Sequence, residues 1–172
     1  MYNTILFDLD GTLTDSAPGI YNAVIYALRE MGLEIPSSEE LRTFIGPPLL
    51  ESFDQVCALR GDDGKEALRL YRVYYNEKGL YENRVYDGIS ECLENLKKAG
   101  KRLAVATSKP ESFAVRIIEH FGLEKYFDLI AGATMDESRN AKPGVIAYAL
   151  EKLGIRDTKE VLMIGDRRHD AA

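Results

Sequence analysis

The chain has 172 residues, 45% of them hydrophobic and 29% charged, with a formal net charge of -6. Such a chain can bury a full core, as one domain or as one domain carrying a sizeable insertion. The acidic balance excludes a general nucleic-acid binder, which carries a basic patch, and no apolar run is long enough to span a bilayer.

The first apolar stretch, Thr4-Ile5-Leu6-Phe7, is too short for a signal peptide and meets Asp8 at once, so a cytoplasmic protein is expected. It reads instead as a short buried strand. Asp15-Ser16-Ala17-Pro18 then opens a helix, with Ser16 as cap and Pro18 in the first turn. Ile20, Ala23, Val24, Ala27, Leu28 and Met31 recur at helical spacing until Gly32. Ser37-Ser38-Glu39-Glu40 is a capping-box signature for a second helix, which Gly46-Pro47-Pro48 breaks. A third helix carries Leu49, Phe53, Val56 and Cys57. Gly61-Asp62-Asp63-Gly64 reads as a loop, and a long helix follows through Ala67, Leu68, Tyr71, Tyr74 and Tyr75. Tyrosines at that spacing are core more often than a stacking surface. No strand is expected between residues 16 and 81.

After Tyr86-Asp87-Gly88 the pattern changes to alternation. A helix through Ile89, Cys92, Leu93 and Leu96 ends at Gly100, and Leu103-Ala104-Val105-Ala106 reads as a buried strand ending in Thr107-Ser108-Lys109. Pro110 opens a helix that closes at Gly122, and Phe127–Ala131 is the third strand. Lys142-Pro143 starts a helix that ends at Gly154, and Val161-Leu162-Met163-Ile164 is the fourth strand, running into Gly165-Asp166. Alternating helices and near-continuous apolar strands predict an α/β fold with a doubly wound parallel sheet. The all-helical block then stands as an insertion after the first strand, giving a discontinuous core of residues 1–15 and 83–172 around a helical domain of residues 16–82. Cys57 and Cys92 fall in apolar helical patterns and are expected to be buried free thiols.

In such sheets ligands bind beyond the carboxyl ends of the strands, and the polar clusters fall there. Asp8 and Asp10 are two apart at the end of the first strand, so both carboxylates would face one site. They repel unless a cation or proton lies between them, and Mg2+ suits hard oxygen ligands beside a phosphate. A calcium loop is excluded, because its sixth and twelfth positions counted from Asp8 hold Leu13 and Gly19 instead of Gly and Glu. Gly11 allows a close backbone approach, and Thr12 offers a hydroxyl and an amide. Asp8 suits nucleophilic attack on phosphorus, and Asp10 suits proton donation to the leaving oxygen. Thr107, Ser108 and Lys142 can hold phosphoryl oxygens and balance their charge. Asp166 and Asp170 add acid for a metal ion.

With these residues in place, the chain resembles the haloacid dehalogenase superfamily, in the branch with a helical cap after the first motif. Asp8-Leu9-Asp10-Gly11-Thr12 matches the first motif, the strand ending in Thr107 the second, Lys142 the third, and Gly165-Asp166-Arg167-Arg168-His169-Asp170 the fourth. The resemblance implies Asp8 as nucleophile and Asp10 as acid/base. It implies Mg2+ held by Asp8, the backbone carbonyl of Asp10 and Asp166, with Asp170 supporting. Asp10 favours ester chemistry over dehalogenation or phosphonate cleavage, where that position differs, and a receiver domain would lack the insertion. The closest likeness is to the phosphoglycolate phosphatase and 5'-nucleotidase-like group. The implied activity is a Mg2+-dependent phosphoric monoester hydrolase acting on a small phosphorylated metabolite, with no nucleic-acid or membrane partner. A phosphosugar mutase and a non-catalytic phosphate- and Mg2+-binding regulator are the alternatives.

Substrate choice is expected in the cap, where Ile45, Gly46 and Pro47 form a break that can reach the substrate, or else a simple helix-helix turn. Lys109 is a further candidate substrate contact, whereas Arg116 reads as solvated surface. Family members continue past the fourth motif through a helix and usually a fifth strand. The chain ends two residues after Asp170, so an exposed fourth strand and weaker metal binding are expected.

Overall fold

The computed structural model describes residues 2–135, 138–139 and 141–166. The chain opens with β1 (Thr4–Phe7), whose four residues are all buried, followed by β2 (Thr14–Asp15). Helix α1 (Ala17–Glu30) buries Ile20, Ala23, Val24, Ala27 and Leu28, the apolar stripe that its spacing predicts. Pro18 lies in its first turn, but Ser16 makes no side-chain cap bond, and its buried hydroxyl has no partner among the described residues. Ser16 is therefore not the side-chain cap that the sequence suggested.

Helix α2 (Ser38–Arg42) starts with the expected capping box: Glu40 N–H donates to the Ser37 hydroxyl, and Ser37 N–H donates to Glu40 Oε2 at 2.8 Å. Helix α3 (Leu49–Cys57) follows, and α4 (Gly61–Tyr74) comes next. The Gly61–Gly64 stretch read as a loop is thus the first turn of α4. Gly61 takes a φ of +55° at the entry, Asp62 and Asp63 complement the positive end of the helix dipole, and Gly64 lies against the Leu59 carbonyl. A π-helical turn, Tyr75–Gly79, extends α4. Tyr71 and Tyr75 are buried and stacked at 5.3 Å, as core residues. Tyr74 is half-buried and donates its hydroxyl to Glu82. Strand β3 (Arg84–Val85) forms a separate two-stranded sheet with β2.

Helix α5 (Ile89–Lys98) precedes β4 (Arg102–Pro110), α6 (Glu111–His120), β5 (Leu129–Ala133), α7 (Lys142–Lys152) and β6 (Val161–Ile164). On α5 the buried stripe runs through Leu93, which leaves Cys92 exposed. Both cysteines are free, but Cys57 is only half-buried, so neither is the buried thiol expected. Strand β4 is longer than the apolar run, continuing through Thr107, Ser108 and Lys109 with a register shift against β5 between Ala106 and Pro110. Strand β5 starts later than its apolar run because Asp128 is already committed. Its N–H donates to the Leu103 carbonyl, and its carboxylate accepts the Leu103 N–H.

The main sheet is parallel, in the order β5-β4-β1-β6, with helices flanking it. From β1 the chain winds outward to β4 and β5, then returns to β6 on the other side of β1. The strand order therefore reverses at β1, the kind of position where open parallel sheets place their ligands. Leu6, Ala104, Ala106, Ala131, Val145 and Ala149 make the core between sheet and α7. The chain divides into two compact units, one holding residues up to Asp15 and from Val85 onward, the other Ser16–Arg84. The first contains the sheet; the second is helical apart from Arg84 in β3. No helix among the described residues is long and apolar enough to cross a membrane.

Candidate active site

Register assembles the site. Phe7 aligns with Val105 on one side and Ile164 on the other. The residues one or two steps beyond these partners, Asp8 after β1, Ala106-Thr107 within β4 and Gly165-Asp166 after β6, therefore lie at one height toward the carboxyl edge of the sheet. Asp8 N–H donates to the Ile164 carbonyl at 2.9 Å, which continues the ladder one step past β1.

Asp8 is 6% exposed and Lys142 is 7% exposed. The Lys142 ammonium lies 2.8 Å from Asp8 Oδ1 and donates to the Ala106 carbonyl at 3.2 Å, so the first residue of α7 is tied to both β1 and β4. Burial pushes the Asp8 carboxyl above its ordinary range. The Lys142 charge, its hydrogen bond, the Leu9 N–H and a Thr107 side-chain hydrogen bond pull the other way. Thr107 is buried and accepts the Lys109 N–H at 3.2 Å, and Ser108 beside it is half-buried.

Asp10 has a lysine of its own beside it. Its Oδ2 lies 2.9 Å from the Lys109 ammonium, which is itself nearly buried. Lys142 thus lies beside Asp8 and Lys109 beside Asp10. Asp10 Oδ1 and the Thr12 hydroxyl are buried and have no hydrogen-bond partner among the described residues. Gly11 has a φ of +84°, and a Cβ there would collide with the Asp166 carboxylate. Asp166 is thus folded over the backbone that joins Asp10 to Thr12, a position only glycine leaves open.

Among the candidates, Asp8, Thr107 and Lys142 meet directly, Asp10 joins through Lys109, and Asp166 abuts Gly11. Asp170 lies outside the described residues, as do Arg167, Arg168 and His169. Ile45, Gly46 and Pro47 belong to the helical unit, with Ile45 half-buried and Gly46 and Pro47 exposed in a turn. The pairing of Lys109 with Asp10 was not foreseen, although Lys109 stands two residues beyond Thr107 in β4 and strand alternation puts the two on one face. A second cluster, Glu111 with Arg139, carries no such signal, because neither belongs to a motif.

A family model described as haloacid dehalogenase-like hydrolase matches residues 5–172. The chain belongs to that family. Over 98% of its length it is 46% identical to a 5'-nucleotidase of Pseudomonas aeruginosa, covering 76% of that protein. It is also 44% identical, over 96% of its length, to the tyrosine-protein kinase PtkA of Mycobacterium tuberculosis, of which it spans 56%. A predicted phosphatase from Clostridium acetobutylicum superposes with a TM-score of 0.91 at 45% identity, covering 99% of this chain and 79% of that one.

Among the described residues of this family member, no three His, Cys, Asp or Glu side chains form a metal-binding group. The carboxylate oxygens that the structure puts near this edge are those of Asp8, after β1, and of Asp166, against Gly11. Carboxylate oxygens are hard donors, the chemical type that Mg2+ takes.

Proposed function

We propose that this chain is a Mg2+-dependent phosphatase that hydrolyses a small phosphate monoester through an aspartyl-phosphate on Asp8. One observation carries the reading. A buried carboxylate, Asp8, is oriented by a buried lysine at 2.8 Å, two residues before a second carboxylate that keeps one oxygen unengaged. Asp8 forms a bond to phosphorus as the ester P–O bond breaks, and Asp10 gives its proton to the departing alcohol. Asp10 then takes a proton from the attacking water, the Asp8–phosphorus bond breaks, and inorganic phosphate leaves. Lys142 and the Thr107 hydroxyl hold phosphoryl oxygens, with Ser108, Gly11 and Thr12 at the rim. Asp8, the Asp10 carbonyl and Asp166 would hold Mg2+, with Asp170 supporting; when bound, the ion supplies positive charge against that of the phosphate.

Residues 16–82 act as a cap on the core of residues 1–15 and 83–172, and Ile45, Gly46 and Pro47 meet the substrate. The protein works in the cytoplasm on a phosphorylated metabolite of the nucleoside monophosphate or phosphoglycolate kind. The 5'-nucleotidase name of one relative supports this choice. The kinase name of another favours a second reading, phosphoryl transfer to a protein tyrosine.

The deciding experiment measures phosphate release from a panel of small esters with and without Mg2+, beside Asp8→Asn. Release that needs both Mg2+ and Asp8 supports the phosphatase, and the best ester identifies the substrate class. Isomerisation of a sugar phosphate without release identifies a mutase. Labelling of a tyrosine peptide from ATP, with no ester hydrolysed, moves the reading to the kinase. Phosphate and Mg2+ binding with no turnover of any kind identifies a regulator.

A further inference from the structure

We propose that Arg139 is a positioning residue that, through Glu111, fixes where Lys142 stands against Asp8. This rests on the reading of Asp8 and Lys142 given above. Arg139 lies in the connection between β5 and α7, three residues before Lys142, and binds several elements of the sheet unit at once. One guanidinium nitrogen lies 3.1 Å from Glu111 Oε2 at the start of α6. Its Nε donates to the Gly132 carbonyl of β5 at 3.0 Å. The guanidinium carbon, Cζ, lies 3.6 Å from the centroid of the Tyr148 ring of α7. Its main chain is held too: Arg139 N–H donates to the Thr134 hydroxyl, and Thr134 N–H donates to the Arg139 carbonyl.

Glu111 completes the clamp. The same Oε2 accepts the Gly132 N–H at 3.1 Å. Gly132 is pressed so closely against the turn from β4 into α6 that a Cβ there would lie 2.6 Å from the Glu111 Cα and 2.7 Å from the Lys109 carbonyl. The clamp therefore joins the stretch Thr107–Glu111 to the connection that delivers Lys142. These are the two segments that bring the phosphate-facing groups to Asp8. Moving either end displaces Lys142 from a carboxylate that it must meet at hydrogen-bond distance. A misplacement of about 1 Å is enough to cost on the order of 100-fold in rate. Lysine at position 139 cannot replace this fork, because an ammonium bonds as a point charge and does not present two fixed N–H donors to Gly132 and Glu111.

The test uses the full chain with Arg139→Gln, Arg139→Lys and Glu111→Gln. Lys97→Gln serves as a control that breaks an ion pair to Asp128 elsewhere in the same unit. Two readouts are taken: kcat and KM for the best ester, and the nitrogen-15 signal of the Lys142 ammonium, assigned by its loss in Lys142→Met. All three clamp variants are expected to shift or broaden that signal and to lower kcat by about 10-fold or more with KM little changed, while Lys97→Gln does neither. An unmoved Lys142 signal in a folded Arg139→Gln overturns the proposal, and so does a moved signal with full kcat. A wild-type chain that turns over no ester overturns the phosphatase reading instead, and the ammonium signal still decides the clamp.

Discussion

Lys142 Nζ stands 2.8 Å from Asp8 Oδ1, with the two side chains only 7% and 8% exposed. A pair this deep contributes little net stability, since desolvation offsets the attraction, but removing one partner strands the other. Lys142→Met is therefore expected to lower stability by about 3 kcal/mol at pH 7. The measurement is the urea midpoint at unchanged m-value. Adding Asp8→Asn should restore most of the loss, because the stranded charge is gone. A single variant as stable as the wild type would contradict the pairing.

Burial also dictates how stability responds to pH. The Asp8 carboxyl sits above its usual 3.8 chiefly because it is desolvated, with Lys142, Leu9 N–H and Thr107 only partly compensating. The folded chain then binds this proton more tightly than the unfolded chain does. The contribution of Asp8 to stability is full below the ordinary value and is lost as pH rises through the raised one. Denaturant unfolding of the wild type and Asp8→Asn in chelator-containing buffer reads this directly. The wild-type advantage over the variant should shrink with rising pH across that window and then level off; a difference that is flat or grows would contradict it. Activity carries the opposite sign. Attack requires the carboxylate, so kcat/KM should fall on acidification along a limb that lies above 3.8.

Much of this was legible in the chain itself, for identifiable reasons. The run Thr4–Phe7 is buried throughout, so it carries the continuous apolar signal of a central parallel strand. Once that strand is placed, the polar residues after each strand share an edge. What stayed hidden depends on partners distant in sequence. Lys109 could be put on the face of Thr107, but nothing local says that its ammonium meets Asp10. Asp62 and Asp63 between glycines have the composition of a loop, yet acidic residues also suit the first turn of a helix, and α4 uses them so. The π-helical turn Tyr75–Gly79 ends where Gly79 abuts Gly19, a contact that no periodicity announces.

Gly11 answers to two constraints at once. Its φ is +84°, which costs an L-residue about 1–2 kcal/mol, and the space where a Cβ would stand holds the Asp166 carboxylate. Gly11→Ala is expected to lower stability by about 2 kcal/mol and to push Asp166 aside. If Asp166 helps hold the ion, the Mg2+ concentration for half-maximal phosphate release should rise by about 10-fold. A titration of activity against Mg2+ checks this, and an unchanged half-point would remove Asp166 from the metal site.

The same substitution should act with opposite sign at two other glycines. Glycine inside a helix is less favourable than alanine by about 0.8–1.0 kcal/mol, so Gly→Ala stabilises wherever the methyl group has room. At Gly144 in α7 the nearest atom to a new Cβ is Arg139 Cγ at 3.8 Å, ordinary contact. Gly144→Ala is expected to add about 0.5 kcal/mol. At Gly19 in α1 the new Cβ would fall on the Gly79 carbonyl oxygen, well inside contact distance. Backbone cannot rotate out of the way as a side chain can, and overpacking of this kind costs about 1–3 kcal/mol. The clash therefore outweighs the gain in helix propensity, and Gly19→Ala should melt below the wild type while Gly144→Ala melts above it. Thermal unfolding of the two variants side by side decides the matter. A Gly19→Ala chain at least as stable as the wild type would mean that α1 and the π-helical turn do not approach so closely.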